Sequence, residues 1–284
     1  MITLRKAATA CTDAACAAAG RRNVVRAARF VLYRARLDIP GYLSCNGALA
    51  LQQWILAELP AHASIQVIDV GAGAGRWSAA MLAAARSAGR LDAVDLHAFE
   101  PSVGTFALLA KALNGSQARL HNAALSDRVG WARMRLPAPA AGRSPPQPQA
   151  LPEADGTAEV VTTTTLDAYA EQAGLDRLTL VRIDAGGHDL AVLRGARGLI
   201  SGHCIWAVQF SYCHRWIDAR CYLRDAFELL QPHGYRLGKL VPGGIEFYPA
   251  WDAELETFAE GNYVACLPGL ADRLPVIRWW KQPG

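Results

Sequence analysis

No apolar run in this chain approaches the ~18–20 residues that a membrane span needs. The first residues, Met1-Ile2-Thr3-Leu4-Arg5-Lys6, lead into an alanine-rich polar stretch, with no continuous apolar segment of signal-peptide type. A cytoplasmic protein without a transmembrane segment is the expectation. Cys-x-x-Cys pairs are also lacking. The seven cysteines (Cys11, Cys16, Cys45, Cys204, Cys213, Cys221 and Cys266) are odd in number, and reduced thiols are the simplest reading. Cys213, His214 and Cys221 carry the right atoms for zinc at the wrong spacing, and no Asp/Asn cluster offers hard-cation ligands, so no metal is expected. Strong charge is absent as well. Twenty-nine Lys and Arg against 25 Asp and Glu leave +4, which does not by itself demand nucleic acid.

What is present is length and apolar content. With 284 residues, 52% of them hydrophobic, the chain can build one large α/β domain with an N-terminal extension, or two small domains. Residues 1–62 read as that extension. Residues 1–20 look frayed or loosely helical, and 21–37 read as a helix. Its Arg22, Arg26, Arg29 and Arg36 share one face, and Val24, Ala28, Val31 and Ala35 another. The arginine stripe fits a solvated face or, alternatively, an anionic partner. Pro40-Gly41 breaks the chain, and Asn46 can cap a second helix running to about Leu59.

From 63 to 284 the pattern is that of one α/β domain. Candidate strands are 65–70, 94–99, 118–124, 178–183 and 204–210; helices around 76–87, 102–113, 165–173 and 189–200 separate most of them. Alternation of this kind predicts a parallel sheet covered on both faces. Residues 235–240 and 245–248 flank Pro242-Gly243-Gly244, which predicts an antiparallel hairpin at the end. The segment 137–157, with six prolines among alanines, glutamines and glycines, reads as a mobile loop, either a neutral insertion or a lid.

The chemistry is carried by Val67-Ile68-Asp69-Val70-Gly71-Ala72-Gly73-Ala74-Gly75. A strand feeding a glycine turn and then a helix brings backbone N–H groups close to a ligand. A dinucleotide fingerprint, G-x-G-x-x-G, would need glycine at position 76, which is Arg76. Asp69 precedes the turn and can hold the loop or meet a cation. Glu100 follows the second strand in Phe99-Glu100-Pro101, where a carboxylate can accept both ribose hydroxyls. Two carboxylates suit S-adenosylmethionine, a cation without pyrophosphate, better than a dinucleotide. Asn122-Ala123-Ala124-Leu125-Ser126 follows the third strand, with small residues that leave room for adenine.

Together these segments resemble the FkbM family of S-adenosylmethionine-dependent methyltransferases. Thr165-Leu166-Asp167, Arg182-Ile183-Asp184-Ala185-Gly186-Gly187-His188-Asp189 and Val192-Leu193-Arg194-Gly195-Ala196 extend the match, over roughly residues 65–265; Pro40 to Gly47 and Gly261-Asn262-Tyr263 are also similar to pieces of some members. The resemblance implies a Rossmann-like class I methyltransferase fold with a mostly parallel seven-stranded sheet, and methyl transfer to a hydroxyl of a sugar or secondary metabolite. It implies that Asp69, Gly71, Ala72 and Gly73 line the methionine end, that Glu100 and Pro101 lie at the ribose, that Asn122, Ala123 and Ala124 lie near adenine, and that Asp184 sits beside the methyl group. The family usually has Lys at Arg182 and Glu at Gly186.

In-line methyl transfer to a hydroxyl needs an aligned oxygen and a proton acceptor. His188, at the start of the helix 189–200, is the candidate base, and Asp184 the residue that positions acceptor or cofactor; the alternative is that His188 only caps the helix. Gln209 and His214 are further acceptor-side candidates, and Trp206, Tyr212, Trp216 and Trp251 can stack on a sugar or pack in the core. Two other classes stay open. One is a nicotinamide-dependent oxidoreductase, disfavoured by Arg76. The other is a non-catalytic cofactor- or partner-binding relative, motivated by Gly186.

Overall fold

A computed structural model describes residues 2–38, 43, 45–60, 62–135 and 158–281. The Pro40-Gly41 break and the segment 137–157 lie outside the described residues. The chain divides into two compact units, Met1–Pro40 and Gly41–Gly284. The smaller holds α1 (Ile2–Ala19) and α2 (Arg21–Ala35), the second at the predicted place.

The larger unit begins with α3 (Ala48–Glu58), where Asn46 Oδ1 accepts the Ala48 N–H. The expected division at residue 62 sets α3 with the extension. In the structure its Leu51, Ile55 and Leu56 are buried in the core of the larger unit.

There follow β1 (Ile65–Val70), α4 (Arg76–Ser87), β2 (Val94–Phe99), α5 (Val103–Ala112), β3 (Arg119–His121), β4 (Ala124–Leu125), β5 (Gly130–Arg135), β6 (Ala158–Thr164), α6 (Leu166–Ala173), β7 (Leu178–Ile183), α7 (Asp189–Arg194), α8 (Arg197–Ser201) and β8 (Ile205–Tyr212). The chain closes with α9 (Arg215–Asp218), α10 (Leu223–Leu230), β9 (Arg236–Val241), β10 (Gly244–Tyr248), β11 (Gly261–Cys266) and α11 (Pro268–Ala271).

The main sheet has the order β10-β9-β11-β8-β7-β1-β2-β3. Five strands, β8 to β3, run parallel, and β11, β9 and β10 are antiparallel. This is the expected Rossmann-like class with one strand more than seven. The addition to the sequence reading is β11, which inserts between β8 and the hairpin. Alternation sends Ile68, Val70, Phe99, Val181 and Phe210 to one face, against α6, α7 and α10. It sends Ile65, Val67, Leu96, Leu180 and Ala207 to the other, against α3 and α4.

Two predicted elements divide. The strand expected over 118–124 becomes β3 and β4, because β4 leaves the main sheet and pairs with β6 in a small sheet of order β4-β6-β5. The helix expected over 189–200 becomes α7 and α8. A Cβ on Gly195 would stand 1.9 Å from the Ser126 carbonyl oxygen, so only glycine fits there. The Asp167 carboxylate then accepts the Gly198 and Leu199 N–H groups and starts the second helix afresh.

Candidate active site

The C-terminal ends of parallel strands are where such sheets place their sites. Here β1, β2 and β7 end side by side, and three turns meet.

The turn after β1 is built on left-handed glycines: Gly71, Gly73 and Gly75 have φ of 71, 57 and 78°. They are not equivalent. A Cβ on Gly71 would lie 2.2 Å from the Asp184 carbonyl oxygen, whereas one on Gly73 meets nothing within 4 Å. Gly71 is therefore required by packing, and Gly73 borders open space. The expectation that this turn aims its N–H groups at a ligand is corrected by the hydrogen bonds. Gly71 and Ala72 donate to the Phe99 carbonyl (2.9 Å each), Gly75 donates to Ala72 O, and Gly73 donates to Glu100 Oε2 at 3.0 Å.

Asp69 is fully buried. Its Oδ2 accepts from the Ser78 hydroxyl, and its Oδ1 accepts from Arg182 Nη1 at 2.8 Å. Arg182 also donates to Gly71 O and, through Nη2, to Asp184 Oδ2 at 2.5 Å. Its guanidinium stands near the Trp77 ring, 5.8 Å from the centroid. Burial works against this cation, but Asp69 and Asp184 more than offset it, and its pKa stands above the ordinary value. Of the two carboxylates expected to face a pocket, Asp69 instead anchors the strand ends, and Arg182 is its counter-ion.

Glu100 is 8% exposed. Its Oε1 accepts the Ser102 N–H and its Oε2 the Gly73 N–H, so it ties the ends of β1 and β2 together. Burial raises its pKa against the pull of those two bonds. Asn122, exposed, donates its amide to the carbonyls of Glu100 and Pro101. Ala123 and Ala124 follow, half-buried.

The turn after β7 is opened by Asp184, whose side chain is 48% exposed, and passes through left-handed Gly186 and Gly187. It is fastened by Asp189, a residue missed in the sequence reading. Asp189 is fully buried; it accepts the N–H groups of Ala185 and Gly187 and the Ser211 hydroxyl. Burial pushes its carboxyl up to about 6. An acid one residue after a strand-end Gly-Gly-His is the signal that could have marked it. Arg215 lies over this turn: its Nη1 is 3.1 Å from where a Cβ on Gly186 would stand, and its Cβ 2.9 Å from one on Gly187.

The His188 side chain does not cap α7. Its Nε2 lies 2.9 Å from the Ser126 hydroxyl, which donates to Asp127. With its hydrogen on Asp127, that hydroxyl accepts from His188 Nε2–H, leaving Nδ1 as the lone-pair nitrogen. Burial lowers the His188 pKa.

The other acceptor-side candidates separate. Gln209 is 2% exposed and donates to Asn262 Oδ1, and His214 is exposed. Trp216 and Tyr212 are core residues, and Trp206 and Trp251 are half-buried against the core. Among the described residues no group of three or more metal-ligating side chains occurs, and no helix is long and apolar enough to cross a membrane.

A mostly parallel sheet with a glycine turn after its first strand and an acid after its second defines a Rossmann-like protein of the nucleotide-cofactor class. The methyltransferase FkbM domain matches residues 69–237, and the chain belongs to that family. No curated protein sequence matches it. Among solved structures it is similar to the precorrin-6y C5,15-methyltransferase of Geobacter metallireducens, at 12% identity and a TM-score of 0.40, covering 77% of this chain and 87% of that one. A SAM-dependent methyltransferase of Agrobacterium tumefaciens gives 9%, 0.42, 78% and 61%. The CurJ carbon methyltransferase gives 9%, 0.43, 77% and 53%. The chain spans less than two thirds of the length of these last two.

Proposed function

We propose that this protein transfers a methyl group from S-adenosylmethionine to a hydroxyl of a carbohydrate or secondary metabolite. One observation carries the choice of cofactor. The N–H groups of Gly71, Ala72, Gly73 and Gly75 are all spent inside the protein. With these four donors committed and the Glu100 carboxylate beside them, the turn suits a cation without pyrophosphate better than a phosphate. The open space beside Gly73 and the buried Glu100 at the end of β2 fit an adenosine that has its ribose hydroxyls on the carboxylate. Asn122 keeps its side-chain oxygen for the adenine amino group, with Pro101, Ala123 and Ala124 alongside.

When bound, S-adenosylmethionine supplies an electrophilic methyl on a sulfonium. The chain's residues do the rest. Asp184, held by Arg182, positions cofactor or acceptor at the end of β7. His188 takes the acceptor's hydroxyl proton on Nδ1; its depressed pKa keeps it neutral, as a base must be. The single change His188→Ala is expected to lower turnover on a hydroxyl acceptor by about 10²–10⁴-fold. The exposed side chain has one hydrogen-bond contact, to the buried Ser126, so only a small loss of stability is expected. In the parent the acid limb of the rate is expected to lie below the ordinary imidazole range, because burial lowers the His188 pKa. Unchanged turnover in the variant removes His188 from the mechanism.

A second reading, cofactor binding without transfer, is favoured by Gly186 alone. Its φ of 62° and the overlying Arg215 make the turn fit for glycine and strained for Glu. Activity that appears only in Gly186→Glu would establish that reading.

A further inference from the structure

Behind the end of β2, on the face covered by α6, the side chains of Asp95, His97, Tyr169 and His121 stand in one row. Asp95 and His97 project from the same face of β2, and Arg119 and His121 from that of β3, with His97 paired to Arg119 and Phe99 to His121 in register. Tyr169 of α6 closes over them. Its hydroxyl is 2.5 Å from His97 Nδ1 and 2.8 Å from His121 Nε2. His97, fully buried, has its Nε2 3.2 Å from Asp95 Oδ1. The rings pack as a box: Phe99 stacks on His121 at 4.5 Å, and Tyr169 meets Phe99 edge-on at 4.7 Å and His121 at 4.9 Å.

One hydroxyl hydrogen cannot serve both histidines, so the chain has a direction. Asp95 stands at ion-pair distance from His97 Nε2 without hydrogen-bond geometry, and its charge favours a hydrogen there, which leaves His97 Nδ1 to accept from Tyr169. The Tyr169 oxygen then accepts from His121 Nε2–H. Both histidines are neutral in this order. It is not a remote feature. The His121 carbonyl accepts the Glu100 N–H at 3.0 Å, and the Phe99 carbonyl accepts the N–H groups of Gly71 and Ala72. The box therefore carries the backbone from which the cofactor turn and Glu100 hang.

We propose that Tyr169 is a positioning residue for the cofactor: it fixes the two histidines in their neutral order, and through them the strand ends that hold adenosine, so that cofactor affinity falls when the chain is protonated. This rests on the placement of adenosine at Glu100 and Asn122 given above. A second proton, on His121 Nδ1, would leave the Nε2–H bond to Tyr169 in place and set a cation behind a cofactor that is itself a cation. The charged and titratable groups that face the histidines are Asp95 from β2, Arg119 from β3 and Tyr169 from α6. Arg119 opposes protonation and Asp95 favours it, while burial keeps both histidine pKa values below the ordinary 6.5.

The test is the Kd for S-adenosylmethionine by calorimetry from pH 8 to pH 5.5, with the melting temperature of the unloaded protein followed over the same range. The parent is expected to bind well at pH 8 and more weakly below pH 6.5, its unloaded melting temperature falling over the same interval. Tyr169→Phe, which leaves both ring nitrogens without a partner, is expected to raise Kd about tenfold at pH 8. His121→Gln keeps a neutral N–H for Tyr169 and has no proton to gain. It is expected to bind like the parent at pH 8 and to lose much of the acid weakening. Affinity independent of pH in the parent, or an acid limb unaltered in His121→Gln, overturns the proposal; the latter variant decides it even where Tyr169→Phe does not fold. Glu100→Gln separates the two claims. If it binds like the parent, the adenosine placement fails. If it binds poorly while Tyr169→Phe and His121→Gln both match the parent at every pH, only the role of Tyr169 fails.

Discussion

The turn after β1 and the turn after β7 stand side by side and are fastened in opposite ways. After β1 the backbone donors go to the Phe99 carbonyl and to Glu100, and the carboxylate of Asp69 is consumed by Ser78 and Arg182. What faces outward is open space beside Gly73. After β7 a buried carboxylate, Asp189, gathers the donors from beneath, and Asp184 and His188 are left outward with partly exposed side chains. The first turn presents backbone and room, as a cofactor seat requires. The second presents functional groups, as an acceptor mouth requires. Arg182, bonded to both Asp69 and Asp184, links them.

The sharpest way to break this contrast is at Gly71. Gly71→Ala forces a Cβ into the Asp184 carbonyl in a left-handed backbone, and the two turns must separate. Destabilisation on the order of 3 kcal/mol is expected in urea titration, with cofactor binding lost alongside.

Asp189→Asn comes next. An amide cannot accept from Ala185, Gly187 and Ser211 together, and a loss of about 2 kcal/mol is expected. It also has a pH signature. The native carboxyl, at about 6, lies above its value of 3.8 in the unfolded chain. The native state therefore holds more protons between those values, and this group's contribution to stability declines as pH rises through that window and then levels off. The Asn variant should lose that decline; stability curves of equal slope in parent and variant would contradict the account.

The smallest effect on stability is expected at Gly73. Gly73→Ala meets no atom, so its cost is the left-handed strain alone, about 1 kcal/mol. Yet its methyl group would project into the proposed cofactor space, and S-adenosylmethionine affinity should fall far more than stability. Gly71 and Gly73 thus separate packing from binding within one turn.

Much of this was legible in the sequence. The bounds of β1, β2, β7 and α4 coincide with the runs 65–70, 94–99, 178–183 and 76–87, because buried parallel strands and the helices between them carry strong local patterns. What was not legible depends on partners far along the chain. The small sheet joins β4 and β5 to β6 across the segment 137–157. The break between α7 and α8 is imposed by Ser126 and Asp167, elements distant in sequence. At the site the glycines, Asp69 and Glu100 were readable as residues, but their bonding was not. That Asp69 would be spent on Arg182, and that the turn would keep its own N–H groups, follows only from the register of β1 with β7 and β2.

The central claim is that the turn after β1, with the N–H groups of Gly71, Ala72, Gly73 and Gly75 spent and Glu100 behind it, seats S-adenosylmethionine and not a dinucleotide. Calorimetric titration of the protein with S-adenosylmethionine and, separately, with NAD tests it most directly. The account predicts saturable binding of S-adenosylmethionine that weakens in Gly73→Ala, and no heat with NAD. Saturable binding of NAD without binding of S-adenosylmethionine would contradict it.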